Sequence, residues 1–192
     1  MLSDRQQQIV KDSIKLIDEK GIQGFTIKNL ANSIGISEPG LYRHFSSKFD
    51  ILYTILDSFR QLMTTNHSLF MESTDDAMDK LHQLMNRILT VFTHSPALVS
   101  VIFAEEIFHN EHQLSKKVTD MKEINENLVI SLYTQLQLES RVKESISAEM
   151  FCLMYLGSIR LMVKNWKQNS YNFNLLEKGE TLFQALISGV KS

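Results

Sequence analysis

Apolar residues recur along the chain with the 3.6-residue period of helices buried on one face, and no segment sustains the strict alternation of a half-buried strand. Over residues 5–20, Ile9, Val10, Ser13, Ile14 and Ile17 share a face, and Gly21 follows where a left-handed cap ends a helix. Thr26 predicts the N-cap of a short second helix, in which Ile27, Leu30, Ala31 and Ile34 keep i, i+3, i+4, i+7 spacing and Gly35 closes the element. Ser37 then caps a third helix with Pro39 in its first turn, where a missing N–H costs nothing. Leu41 and Phe45, four residues apart, face inward, which leaves Tyr42, Arg43 and His44 towards the flank or solvent.

Ser47, with Asp50 three residues on, resembles a capping box opening a fourth helix over residues 48–70. Phe49, Leu52, Leu56, Phe59, Met63 and Phe70 form one stripe on it, and Ile51, Ile55, Leu62 and Leu69 widen the apolar face. Such a helix is about 35 Å long, enough to run from an N-terminal module into a second core. A fifth helix follows Asp75 and ends before Pro96, and residues 97–109 and 112–138 are predicted as two more. Residues 146–168 are apolar nearly all round, so their outer face needs a partner, and residues 173–190 carry a last stripe of Leu175, Leu182, Phe183, Leu186, Ile187 and Val190. The expected fold is all-α.

Composition agrees: seven glycines and two prolines in 192 residues are too few for many short strands joined by tight turns. The single cysteine, Cys152, lies between Phe151 and Leu153 and is expected to be a small buried thiol, fitting a reducing cytoplasm. The first residues lack a basic segment followed by an apolar one, and no apolar run approaches the roughly 18 residues that cross a bilayer, so neither export nor a membrane partner is expected.

The formal net charge of -2 argues against a nucleic-acid partner only until its distribution is considered. Residues 20–48 carry Lys20, Lys28, Arg43 and Lys48 against Glu38 alone, a local basic surface on an acidic protein. No glycine-rich phosphate loop, GxSxG elbow or HExxH pair is present, so neither an enzyme nor a cofactor is expected. Glu105, His109 and His112 fall at i, i+4 and i+7, with Glu106 adjacent, a spacing that could share a metal. The pattern is not a known zinc signature, a polar helix end near Asn110 is an adequate explanation, and no metal site is assigned.

A helix, a gap, a short helix, a tight turn and a helix displaying polar side chains together make the helix-turn-helix layout, whose second helix enters the major groove. The segment FTIKNLANSIGISEPGLYRHFSSKFDIL, with its LYRHF core and following SK, resembles the N-terminal signature of the TetR/AcrR family of transcriptional regulators over about residues 5–57. The resemblance implies a helix-turn-helix DNA-binding domain over 1–48 and a helical effector-binding and dimerisation domain over 49–192. It implies that Thr26 and Lys28 touch phosphate, that Ser37, Glu38, Pro39, Gly40, Tyr42, Arg43 and His44 form the recognition helix and its cap, and that Lys48 binds phosphate.

The chemistry of these residues suits those roles. Tyr42 and His44 can donate to phosphate oxygens, and Lys48 adds charge beside a positive helix end. For Arg43 two readings stay open, a fork on guanine O6 and N7 or a cation near the backbone. Glu38 could accept from cytosine N4 or simply favour the helix N-terminus.

The resemblance further implies a homodimer through the last two helices on a palindromic double-stranded operator, and a repressor released by a small lipophilic effector. Phe59, Met63, Met85, Phe92, Phe103, Met121, Met150 and Met154 could line an adaptable apolar pocket, although a filled helical core uses the same residue types. The alternative keeps DNA binding and gives the large domain a protein partner and no small-molecule effector.

Overall fold

The computed structural model describes residues 2–71, 75–103 and 112–192, with the side chains of 62–71 left out. The described residues form helices α1 (Asp4–Gly24), α2 (Ile27–Ile34), α3 (Glu38–Tyr42), α4 (Lys48–Met71), α5 (Ala77–His94), α6 (Leu98–Ile102), α7 (His112–Leu138), α8 (Ala148–Gln168) and α9 (Leu175–Val190). Extended pairing among them is limited to one isolated bridge, Val142 to Lys191. The all-α expectation holds.

Side chains that satisfy the orphan amides of first turns set most helix starts. Ser3, Thr26, Ser37, Asp76, Ser147 and Asn174 each accept from a backbone N–H of the helix they open, and at Ser3 the reciprocal bond from Gln6 completes a capping box. Gly35 ends α2 in the left-handed conformation, φ 75°. Gly21 also takes a positive φ, 67°, but it does not end α1: the helix kinks there and resumes for a further turn to Gly24. Ile22 explains the resumption, since that turn buries it in the same core as Ile17.

Two other boundaries differ from expectation. The third helix stops at Tyr42, because the Leu41 carbonyl receives the N–H of both His44 (2.9 Å) and Phe45 (3.2 Å) and the last turn tightens. Arg43 is therefore the cap and His44 lies in the turn beyond it. The helix expected over 97–109 is seen only as Leu98–Ile102, with no side-chain cap at its start. Glu105, Glu106 and His109 lie outside the described residues, as do the side chains of Met63 and Phe70.

By contact the chain forms two units, Met1–Thr65 with Ala97–Met121, and Asn66–Pro96 with Lys122–Ser192. In the first, Ile9, Ile17, Phe25, Leu30, Leu41 and Leu56 are completely buried around one core that also takes in Val101, Leu114 and Val118. Ser13 sits fully inside this core, its hydroxyl donating to the Ile9 carbonyl at 2.7 Å, so its polarity is satisfied within α1.

In the second unit, α9 packs on α5 and α8. The contact with α5 is close at Gly179, where an added Cβ would stand 2.1 Å from Leu89 Cδ1. Buried Tyr155 of α8 donates to the Leu81 carbonyl of α5 at 2.5 Å, and Tyr133 stacks on Phe151 with ring centroids 4.1 Å apart. Burial pushes the Cys152 thiol up to about 11, so it stays protonated and unreactive near neutrality. On the outer side of α8, Met150, Leu153 and Leu161 are 52%, 67% and 60% exposed.

Candidate nucleic-acid interface

The candidate interface begins at the α1–α2 junction. Thr26 Oγ1 accepts from the Asn29 N–H at 3.1 Å, a bond that leaves the hydroxyl proton available to donate outward. Asn29 Nδ2 returns to the Gly24 carbonyl at 2.8 Å and closes the junction from the inside. Lys28 is exposed in the first turn of α2.

The turn into α3 is held by the backbone. The Gly35 N–H reaches the α2 carbonyls of Ala31 and Asn32, and the Ile36 N–H reaches Ala31 at 3.0 Å. Ser37 Oγ then accepts from the Gly40 N–H at 3.1 Å. A Cβ at Gly40 would come within 3.2 Å of that same Ser37 oxygen, so a side chain there would press on the cap. Glu38 and Pro39 are exposed in the first turn.

Burial alternates sharply along the next residues. Leu41 is 0% exposed and Phe45 6%, whereas Tyr42 between them is 49% exposed. Arg43 is exposed and His44 half-buried, with the His44 carbonyl accepting from Gln6 Nε2 at 3.1 Å. An apolar underside thus clamps a short rod whose opposite side presents a phenol and a guanidinium.

Ser47 Oγ accepts from the Asp50 N–H at 3.1 Å and opens α4. Lys48 is half-buried beside that helix end, its Nζ 5.4 Å from the centre of the Phe25 ring, and burial lowers its pKa. An anion at that position would favour the charged lysine, and the helix terminus would add its own attraction.

Further along α4, Asp57 accepts from Lys117 Nζ at 2.5 Å, from Arg60 at 3.3 Å and from Gln61 at 2.8 Å. Lys117 is only 8% exposed, on the same face of α7 as Leu114 and Val118, and its Nζ also stands 4.1 Å over the Tyr53 ring. The hydrogen bond from Lys117 holds the Asp57 carboxyl below the usual carboxylate range. Burial alone would lower the Lys117 pKa, but the bonds to Asp57 and Tyr53 outweigh it and the net direction is upward. A second polar link, Ser100 Oγ to Asp18 at 2.6 Å, ties α6 to α1.

Sequence reasoning missed Gln6 and Lys117. The Ser3–Gln6 spacing carries a capping-box signal, and a lysine set into the apolar stripe of Leu114 and Val118 calls for a buried acceptor. Which partner each one finds is a long-range fact that spacing does not contain.

The eight residues expected at a ligand pocket divide between the two units. Phe59 is half-buried on α4, Phe103 is half-buried just past α6, and Met121 is buried on α7, all three in the first unit. Met85 and Phe92 are buried on α5, while on α8 Met154 is half-buried and Met150 faces outward, these four in the second. Met63 lies outside the described side chains. An open groove along α5 is lined by Gln83, Asn86, Arg87, Thr90 and Val91, none of the eight. Among the described residues no cluster of three or more His, Cys, Asp or Glu could hold a metal, and no helix is long and apolar enough to cross a membrane.

Residues 9–53 match the family described as bacterial regulatory proteins, tetR family. The chain is also similar to the nucleoid occlusion factor SlmA of Haemophilus influenzae, 23% identical over 175 residues that cover 88% of this chain and 80% of that protein. Its fold is that of the ketosteroid transcriptional regulator KstR2 of Mycobacterium tuberculosis, with a TM-score of 0.88, 16% identity, and coverage of 100% of this chain and 97% of the other. The regulator FadR of Bacillus subtilis, solved in complex with stearoyl-CoA, shares it with a TM-score of 0.79 at 18% identity, covering 95% and 98%.

Proposed function

We propose that the chain, whose residues 9–53 match the tetR family of bacterial regulatory proteins, is a TetR/AcrR-type transcriptional regulator that acts as a homodimer on a palindromic operator and is released by a small lipophilic ligand. It is a DNA-binding regulator and not an enzyme. One observation carries the reading: Tyr42 is 49% exposed and Arg43 is exposed directly beyond a Leu41 that is completely buried. A side chain anchored from beneath keeps its neighbours at a fixed height above the core, which groove reading requires.

In this reading Thr26, Lys28, Tyr42, His44 and Lys48 hold phosphates, and Arg43 reads a guanine edge. Ser37, Glu38, Pro39 and Gly40 shape and cap the rod. Dimerisation is supported by the outer stripe of α8, where Met150, Leu153 and Leu161 lie on one side with Gly157, whose Cβ position meets nothing within 4 Å. A two-fold pair would present two α3 segments to major grooves about 34 Å apart. A lipophilic effector is supported by the fold shared with a regulator solved with stearoyl-CoA. Release requires only that ligand favour a conformer that fits the operator poorly.

A second reading gives the large domain a protein partner in place of a small molecule. The similarity across 88% of the chain to proteins named nucleoid occlusion factors favours it. The test begins with selection from random-sequence duplex DNA, expected to enrich an inverted repeat; no enrichment at low salt would overturn the DNA assignment. Long-chain acyl-CoA added to the recovered complex is expected to weaken it, whereas unchanged affinity would favour the protein-partner reading.

A further inference from the structure

We infer that Gln6, on α1 and 38 residues away in sequence, is a positioning residue for DNA reading that sets the attitude of Tyr42 and Arg43 by holding the His44 carbonyl. This rests on the assignment of that turn to DNA. Helix α3 has only five residues, and beyond Tyr42 the backbone runs through a turn before α4 begins at Lys48. Leu41 and Phe45 fix the depth of this turn by burial. Apolar contacts resist withdrawal from a core but resist rotation weakly, since they have no directional requirement. A hydrogen bond does have one.

The Gln6 side chain supplies that direction. Its Oε1 accepts from the Ser3 N–H at 3.0 Å and the Ser3 hydroxyl at 3.2 Å, while its Nε2 donates to the His44 carbonyl at 3.1 Å. The two ends of the amide are thereby used in one orientation, because a flip would set the amide oxygen against the carbonyl oxygen of His44. Glutamate would keep the acceptor for Ser3 and lose the donor; methionine would lose both. No other common side chain of this length supplies acceptor and donor together. The half-buried position of Gln6 keeps water from replacing the bond at no cost.

The experiment uses the full chain and the duplex recovered by selection with the wild-type protein. Gln6→Met is expected to weaken binding about fivefold, the size of one neutral hydrogen bond. Ser3→Ala, which opens the capping box and spares the bond to His44, is expected to leave affinity within about twofold. In a double-mutant cycle, Gln6→Met added to the Tyr42→Ala, Arg43→Ala variant should weaken binding hardly further, because both side chains it orients are gone. Fully additive losses would overturn the inference, since a general loss of folded protein acts equally in both backgrounds. The carbonyl ¹³C resonance of His44 in the free protein should move in Gln6→Met and in Gln6→Glu but not in Ser3→Ala. An unmoved resonance would also overturn it. If selection enriches no duplex, the DNA assignment itself falls and the positioning role with it; a recovered duplex with an additive cycle leaves that assignment standing and removes the role of Gln6 alone.

Discussion

The segment from Thr26 to Asp50 and the packing of α5 against α8 and α9 are both held tightly, but by different means. In the first, the caps are closed by residues within a few positions, Thr26 onto Asn29, Gly35 onto Ala31, Ser37 onto Gly40 and Ser47 onto Asp50, while the turn at His44 takes a distant bond from Gln6. In the second, the decisive contacts join residues 74 to 98 positions apart, such as Tyr155 to Leu81, Gly179 against Leu89, and His82 to Glu180. Local closure makes a rod whose shape survives changes on its surface, so the surface is free to be chemical. Distant closure makes a core in which small changes of volume are felt.

The largest expected effect tests whether the local rod still depends on one anchor. Leu41→Ala removes a completely buried side chain and should cost about 2–5 kcal/mol, measured by urea unfolding, with DNA binding lost in parallel. A cost below about 1 kcal/mol would mean the caps alone hold α3. Gly179→Ala probes the other region: a Cβ placed 2.1 Å from Leu89 Cδ1 forces a repacking expected to cost about 1–3 kcal/mol, read as a lowered Tm. Near-neutral behaviour there would show that the α5–α9 contact is plastic.

Smaller effects sharpen the contrast. Ser37→Ala should cost about 1 kcal/mol, the usual worth of an N-cap, and should weaken DNA binding only through the fraction of α3 formed. Asp57, like Gln6 and Ser100, makes a distant polar link within the first unit, set among locally closed helices. Its carboxyl is held below the ordinary pKa of about 3.9, so it stabilises the fold above that pH, and the contribution fades as pH falls through the lowered value. Asp57→Asn lacks this titration, and its stability should decline less steeply than wild type on acidification below about pH 4. Parallel curves would show that Lys117 does not depend on the carboxylate.

The same contrast explains what the sequence could disclose. The caps Thr26, Gly35, Ser37 and Ser47, the inward pair Leu41 and Phe45, and the long α4 all follow from spacing, because their partners lie within one or two helical turns. The kink at Gly21 did not, since Ile22 returns to helix for the sake of a core that only tertiary structure assembles. The early end of α3 did not either: spacing extends the rod through His44, but the doubly used Leu41 carbonyl places Arg43 and His44 in a turn. Side-chain type alone marks the pocket residues, packed cores and cavities share it, and the chain divides these residues between its two units.

Groove reading by the exposed side of this rod is tested most directly by equilibrium binding of a Tyr42→Ala, Arg43→Ala double variant to the selected duplex, with thermal unfolding as the control. Both side chains lie outside the core, so the Tm should stay close to wild type while affinity falls at least about tenfold and preference among single-base variants collapses. A variant equally stable that binds the same duplex with undiminished affinity and preference would contradict it.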